Sequence, residues 1–222
     1  MALAQTLRLA HRGDFRAAPE NSLAALLAAM DVPGCDGVEF DVRAAADGVP
    51  VLLHDDTLVR VQGRPDAIGE LTSTELESLG VPRLDDVLAA LPRRAFLDID
   101  LKESFGRGLI EVLASGRGPD LQNAVISAFA PAIIARIHDL VPGWPCWLNT
   151  HHLSAAAIRR ATELGCVGIS AEASVVTARA FRAAEAAGLE VAAWTVTSRT
   201  RYRRLVELGA VAICVEGDAL TG

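Results

Sequence analysis

The residues of this chain that could do chemistry fall where short apolar runs stop or alternate. His11 and Arg12 follow Leu7 to Ala10, Glu39 and Asp41 flank Phe40, and His54 and Asp55 follow Leu52-Leu53. Further on, Asp98, Asp100 and Lys102 alternate with Leu97, Ile99 and Leu101. Residues i and i+2 of a strand project to one face, so Glu39 and Asp41 stand together with α-carbons about 7 Å apart. Asp98, Asp100 and Lys102 share a face in the same way. Carboxylates at such spacing repel unless protons or a cation intervene, and a hard, oxygen-preferring ion such as Mg²⁺ or Ca²⁺ suits them. The plainer alternative is a pair of acids facing solvent at a strand end. Histidine exchanges a proton near neutral pH, which displacement at phosphorus asks of two groups on opposite sides of the reacting atom. His11 and His54 fit that task, and the set as a whole predicts chemistry on a phosphate with a metal.

Such residues need a scaffold that brings distant segments to one place. Short apolar runs recur at Leu7 to Ala10, Gly37 to Val42, Ala95 to Leu101, Ala124 to Ser127, Cys146 to Leu148, Cys166 to Ser170, Glu190 to Val196 and Val211 to Val215. Between them lie stretches of helical period, among them Ser22 to Met30, Ala132 to Leu140, Ala155 to Leu164, Thr177 to Ala187 and Arg199 to Leu208. Strands alternating with helices demand parallel pairing through crossovers. A doubly wound open sheet would satisfy the alternation too, but no nucleotide-type glycine fingerprint follows the first strand. Eight units in 222 residues predict a compact (β/α)8 barrel forming a single domain over residues 1–222. Its carboxyl strand ends would carry His11, Arg12, Glu39, Asp41, Asp98, Asp100, Lys102 and Trp194. Asp98 lies deeper than Asp100, in a structural hydrogen bond or behind the site.

Residues 49–92 break the rhythm. They hold a strand-like Val49 to Leu53, a loop with Gly63, Pro65 and Gly69, and helical patterns at Thr72 to Ser78 and Leu84 to Leu91. Thr72 followed by Glu75 has capping-box spacing, and Leu71, Leu76 and Leu79 make a small apolar face. The segment exceeds an ordinary strand-helix linker and is expected to be an excursion after the second strand that folds over one end of the barrel.

Composition excludes several classes. Apolar residues make up 51% of the chain, enough for a sizeable core, and a formal net charge of −7 provides no basic field to recruit nucleic acid or an anionic membrane. Cys35, Cys146, Cys166 and Cys214 are widely spaced without a CxxC pair and are expected to be free thiols. The first residues show no signal-peptide pattern, and no segment is apolar for the length of a membrane span. A cytoplasmic protein without stable membrane association is expected, with dimerisation through a helix face left open. His138, His151 and His152 lack the setting of His11 and His54 and are read as surface residues.

The motifs taken in order resemble the glycerophosphodiester phosphodiesterase family. The likeness runs through His11-Arg12-Gly13, Pro19-Glu20-Asn21-Ser22, Glu39-Phe40-Asp41-Val42, Asp47-Gly48 and His54-Asp55-Asp56-Thr57-Leu58-Val59-Arg60. It continues through Gly69-Glu70-Leu71-Thr72, Pro82 to Leu88, Ile99-Asp100-Leu101-Lys102, Ser127-Ala128-Phe129, Gly188 to Val191 and Trp194-Thr195-Val196. The resemblance implies a metal-dependent (β/α)8 barrel with a characteristic insertion. It also implies His11 and His54 as the acid and base pair, Glu39, Asp41 and Asp100 as metal ligands, and Arg12 and Lys102 as the cations holding phosphate, with Trp194 beside the substrate. Three positions depart from the family pattern: Asp100 stands where the family usually has Glu, Val215-Glu216 where it has Thr-Asp, and Thr197 where it has Asn.

The expected reaction is hydrolysis of a small-molecule glycerophosphodiester to sn-glycerol 3-phosphate and an alcohol. Two alternatives stand beside it. One is a lysophospholipase D type of phospholipase, for which Leu58, Val59, Val61, Ile68 and Leu71 would form an apolar entry surface. The other is a barrel that binds a phosphodiester without turning it over, which the costly polar cluster argues against.

Overall fold

A computed structural model describes residues 5–221. The opening residues 1–4, part of the stretch expected to lack an export signal, lie outside them.

Eight parallel strands close on themselves. In chain order they are β1 (Leu7–His11), β2 (Gly37–Ala44), β4 (Phe96–Leu101), β5 (Ala124–Ala128), β6 (Cys146–Thr150), β7 (Gly168–Glu172), β8 (Glu190–Val196) and β9 (Ala212–Val215). Each pairs with the next, and β1 pairs with both β2 and β9, so no edge remains in the ring. The short β3 (Pro50–Leu52) runs antiparallel on the upper part of β2, with Val42 opposite Leu52. This is the expected (β/α)8 barrel with one added strand.

Alternation along the strands builds two cores. Val38, Phe40, Leu97, Ile99, Leu101, Ile126 and Leu148 point outward and are fully or nearly fully buried against the helices. Leu9, Val125, Trp147, Ala192, Ala212 and Cys214 point inward and fill the barrel. The crossover helices are α1 (Leu23–Met30), α5 (Arg107–Arg117), α6 (Pro131–Leu140), α7 (Ala155–Glu163), α8 (Ala178–Ala186) and α9 (Arg199–Leu208). Ser22, Ser154, Thr177 and Ser198 each accept a hydrogen bond from a first-turn amide, which fixes where α1, α7, α8 and α9 begin. Helix α5 is absent from the stretches whose period shows in the sequence, since Gly108 and Gly116 thin its pattern, yet Leu109 and Leu113 supply a buried i, i+4 stripe. The sixth apolar run is shifted relative to its strand: Cys166 closes the turn after α7 by donating its amide to Ala161, and pairing starts at Gly168.

Between β2 and β4 the chain forms α2 (Val59–Gln62), a 3-10 turn at Ile68–Glu70, α3 (Ser73–Ser78) and α4 (Leu84–Ala90). The capping box forms as spaced, with the Thr72 amide donating to Glu75 Oε2 at 2.8 Å and Thr72 Oγ1 accepting from the Glu75 amide. This segment has its own small core of Ala45, Val51, Leu53, Leu58, Ile68, Leu76 and Val81. Among the described residues no helix is long and apolar enough to cross a membrane.

One glycine is required where β1 meets α1. Gly13 has φ of 85°, and a Cβ there would lie 2.6 Å from the Ala25 carbonyl carbon. Neither the dihedral nor the space suits a side chain. Gly13→Ala is expected to cost on the order of 2 kcal/mol and to lower the melting midpoint by about 5 °C in circular dichroism melts; an unchanged midpoint would show that the loop after β1 can shift freely.

Candidate active site

Parallel closure delivers every strand's carboxyl end to one mouth. There a cavity of about 420 Å³ is lined by His11, Arg12, Glu39, Asp41, His54, Asp100, Lys102 and Trp194, so each expected site residue reaches it. Asp98, Ser127, Phe129, Asn149, His151 and Ser170 line it as well.

Register explains the acidic cluster. Glu39 pairs with Asp98 and Asp41 with Asp100 across β2 and β4, so four carboxylates form a square on the inner wall. All four are buried, Asp41 to 1% exposure. One oxygen each from Glu39, Asp41 and Asp100 lies within 4.8 Å of the others, and Asp100 Oδ1 is buried without a hydrogen-bond partner among the described residues. An all-oxygen donor set with an orphaned carboxylate oxygen fits a hard divalent ion.

Burial drives the charges of this square apart. The Glu39 carboxyl is pushed well above its ordinary range by burial and then by Asp41, Asp98 and Asp100, and burial also raises Asp100. Burial pushes Asp98 up to about 7 against the pull of the Ser127 hydroxyl, which donates to it at 2.5 Å. Burial would raise Asp41 too, but Lys102 and Arg12 outweigh it and hold that carboxyl down to about 2. Lys102 Nζ lies 2.7 Å from Asp41 Oδ1 and 2.5 Å from Asp100 Oδ2, and Arg12 Nε lies 3.0 Å from Asp41 Oδ2. Asn21 adds a reciprocal clamp: its Nδ2 donates to Asp41 Oδ2 at 2.8 Å, and its Oδ1 accepts from the Asp41 amide at 3.2 Å.

Arg12 reaches this place by leaving β1 in the left-handed region, with φ of 57°. Its amide still donates to the Glu39 carbonyl at 2.8 Å, one pairing beyond the strand. The guanidinium also donates to Glu20 Oε1 at 2.8 Å. Glu20 in turn accepts two hydrogen bonds from Arg60 of α2, and Arg60 Nε donates to Asp55 at 2.6 Å. Burial would raise Glu20, yet Arg60 and Arg12 hold it below its usual range.

Both histidines carry a carboxylate on Nδ1. His54 Nδ1 lies 2.7 Å from Asp55 Oδ1, and His11 Nδ1 lies 2.5 Å from Glu216 Oε1. A proton held on Nδ1 by the carboxylate leaves Nε2 as the basic atom. His11 Nε2 is 3.8 Å from Glu39 Oε2, on the wall of the carboxylate square. Sequence reasoning gave no role to Glu20, Asn21, Asp55 or Arg60, although the motifs contain all four. It met Glu216 only as a departure from a family pattern. His151, read as a surface residue, is 61% exposed at its side chain but stacks on Phe129 with centroids 5.0 Å apart at the cavity mouth. The four cysteines are free.

The raised carboxyls set a pH dependence. A folded pKa near 7 for Asp98, against an ordinary 3.8, gives stability that is present below about 4 and is lost as pH rises through about 7. Glu39 and Asp100 act in the same direction. Asp41 acts oppositely, and its contribution is lost only as pH falls towards 2. In chelator, the unfolding free energy is expected to fall by a few kcal/mol between pH 5 and 8, and Asp98→Asn to flatten that slope. Urea titrations at each pH measure both, and a slope unaltered in Asp98→Asn would remove Asp98 as a source.

Comparison with known proteins bears on the same site. The model of the glycerophosphoryl diester phosphodiesterase family matches residues 11–217. A glycerophosphodiester phosphodiesterase of Caldanaerobacter subterraneus subsp. tengcongensis is 40% identical over 75 residues, a stretch covering 34% of this chain and only 30% of that protein. Among solved structures, an Oleispira antarctica phosphodiesterase in complex with the product sn-glycerol-3-phosphate superposes with a TM-score of 0.83 at 26% identity, over 95% of this chain and 93% of that one. A glycerophosphodiester phosphodiesterase from Agrobacterium tumefaciens superposes with a TM-score of 0.82 at 25% identity, over 97% and 98% of the two chains. With the closed barrel, the acidic square and a family match spanning nearly all its residues, the chain belongs to the glycerophosphoryl diester phosphodiesterase family.

Proposed function

We propose that this chain, acting as a single barrel domain in the cytoplasm, hydrolyses glycerophosphodiesters to sn-glycerol 3-phosphate and an alcohol. The observation that carries the reading is the meeting of His11 and His54 with the Glu39, Asp41 and Asp100 carboxylates around one cavity. Family membership and the Oleispira antarctica complex support it.

Glu39, Asp41 and Asp100 would hold Mg²⁺ or Ca²⁺. When bound, such an ion supplies positive charge to a phosphoryl oxygen. Arg12 and Lys102 place two further cations beside the same wall, where charge growing on the phosphoryl oxygens is neutralised. Of the histidines, one takes the proton of the nucleophile, water or a neighbouring glycerol hydroxyl, and the other returns a proton to the departing alkoxide. Glu216 and Asp55 orient these rings and stabilise whichever becomes imidazolium. Arg60 pairs with both Asp55 and Glu20 and so links the His54 segment to the Arg12 loop.

The lysophospholipase alternative gains little from the fold. Leu58 and Ile68, expected in an apolar entry surface, are buried in the excursion's own core, and Val59 is the one strongly exposed member of that set. Soluble headgroup diesters are therefore the favoured substrates.

His11→Ala and His54→Ala are each expected to lower kcat by about 10²- to 10⁴-fold, read as release of glycerol 3-phosphate from glycerophosphocholine. Near-wild-type turnover by either variant would reject the acid-base assignment. Exhaustive chelation is expected to abolish turnover and added Mg²⁺ or Ca²⁺ to restore it; full activity in chelator would rule out the metal site.

A further inference from the structure

The mouth has two unlike halves. Strands β1, β2 and β4 supply the charged groups, whereas β5 to β8 supply Asn149, Ser170 and an aromatic wall of Phe129, His151 and Trp194. Asn149 and Ser170 are register partners on β6 and β7, and strand alternation turns both side chains into the barrel. They are 7% and 1% exposed, and Asn149 Oδ1 and Ser170 Oγ have no hydrogen-bond partner among the described residues. Neither is explained by folding, since a buried polar atom left unpaired costs about 1 to 3 kcal/mol. Trp194 Nε1 donates to the Ser170 carbonyl at 3.2 Å, which holds the indole beside the pair.

We infer that this neutral half is a polyol subsite that receives the hydroxyls of the departing alcohol, so that diesters of glycerol 3-phosphate with glycerol or inositol are preferred over the diester with choline. The inference rests on the proposed hydrolase reading. A hydroxyl donates to Asn149 Oδ1 and both donates to and accepts from Ser170 Oγ, while the ring C–H edges of a polyol lie against Trp194. A trimethylammonium group has no proton to donate and would leave both atoms unpaired. Nor does the wall form a cage for a cation. Its three rings pack at centroid distances of 5.0 to 5.5 Å from one another, and Lys102 Nζ already stands 5.8 Å over Phe129. Glu172, a carboxylate beside the wall, is engaged by Ser174 and His151.

The test compares the inositol and choline diesters in two measurements on the whole chain: kcat/KM with Mg²⁺ present, and affinity by calorimetry in chelator, where turnover is absent. The inositol diester is expected to be favoured at least about tenfold, because a site built for hydroxyls discriminates strongly against an analogue lacking them. Asn149→Ala and Ser170→Ala are expected to bring the ratio of the two kcat/KM values to within about threefold; Ser170→Ala removes a single oxygen and guards against a folding failure at Asn149. Equal preference in the wild type, or a ratio unmoved by both variants, overturns the subsite. Preferential binding of the inositol diester without hydrolysis of either diester would instead overturn the hydrolase reading and leave the subsite standing.

Discussion

Four carboxylates on the inner wall of one barrel govern the arrangement of almost everything around them. Parallel register between β2 and β4 places Glu39 beside Asp98 and Asp41 beside Asp100, so the four side chains share one inner wall whatever their rotamers. Charge of one sign at that density in a buried place must be met by protons or by cations. The protein uses both. Burial keeps the proton on Asp98 up to about 7 against the pull of the Ser127 hydroxyl, while Lys102 and Arg12 hold Asp41 ionised. The remaining deficit falls on Glu39 and Asp100, the groups that a divalent ion would relieve.

The need to bring cations to that wall explains the strained start of the site. Arg12 leaves its strand through a left-handed residue, and Gly13 follows because α1 passes too close for any side chain. A neutral residue in the same position would gain nothing from the turn. Arg12 gains Asp41 on one side and Glu20 on the other, and Glu20 passes the connection to Arg60 and Asp55. Local strain is thus offset by an ion-pair chain that crosses from the barrel to the excursion.

Much of this was legible in the sequence because it follows from period. Alternating apolar runs and helical stretches predicted the barrel, and the i, i+2 placement of Glu39 with Asp41 and of Asp98, Asp100 and Lys102 predicted a shared inner face. What period cannot show is which loop meets which. Glu216 lies 205 residues from His11, and Arg60 lies 40 residues from Glu20. Their pairing is a product of barrel closure, so Glu216 read only as an odd residue near the last strand. Asn149 and Ser170 were invisible for another reason: a lone Asn or Ser near the end of an apolar run has the composition of any loop boundary. Helix α5 was hidden by its own glycines.

The excursion carries His54 and Arg60 but none of the four acids, whereas the barrel strands carry the acids and His11, and Lys102 directly follows β4. On the proposed reading the barrel would grip the phosphate and the excursion would complete proton transfer, the two joined at Glu20. On that reading, exchange of the excursion alone would leave the barrel's acids, His11 and Arg12 in place. New chemistry on this scaffold has a natural seam at which to enter.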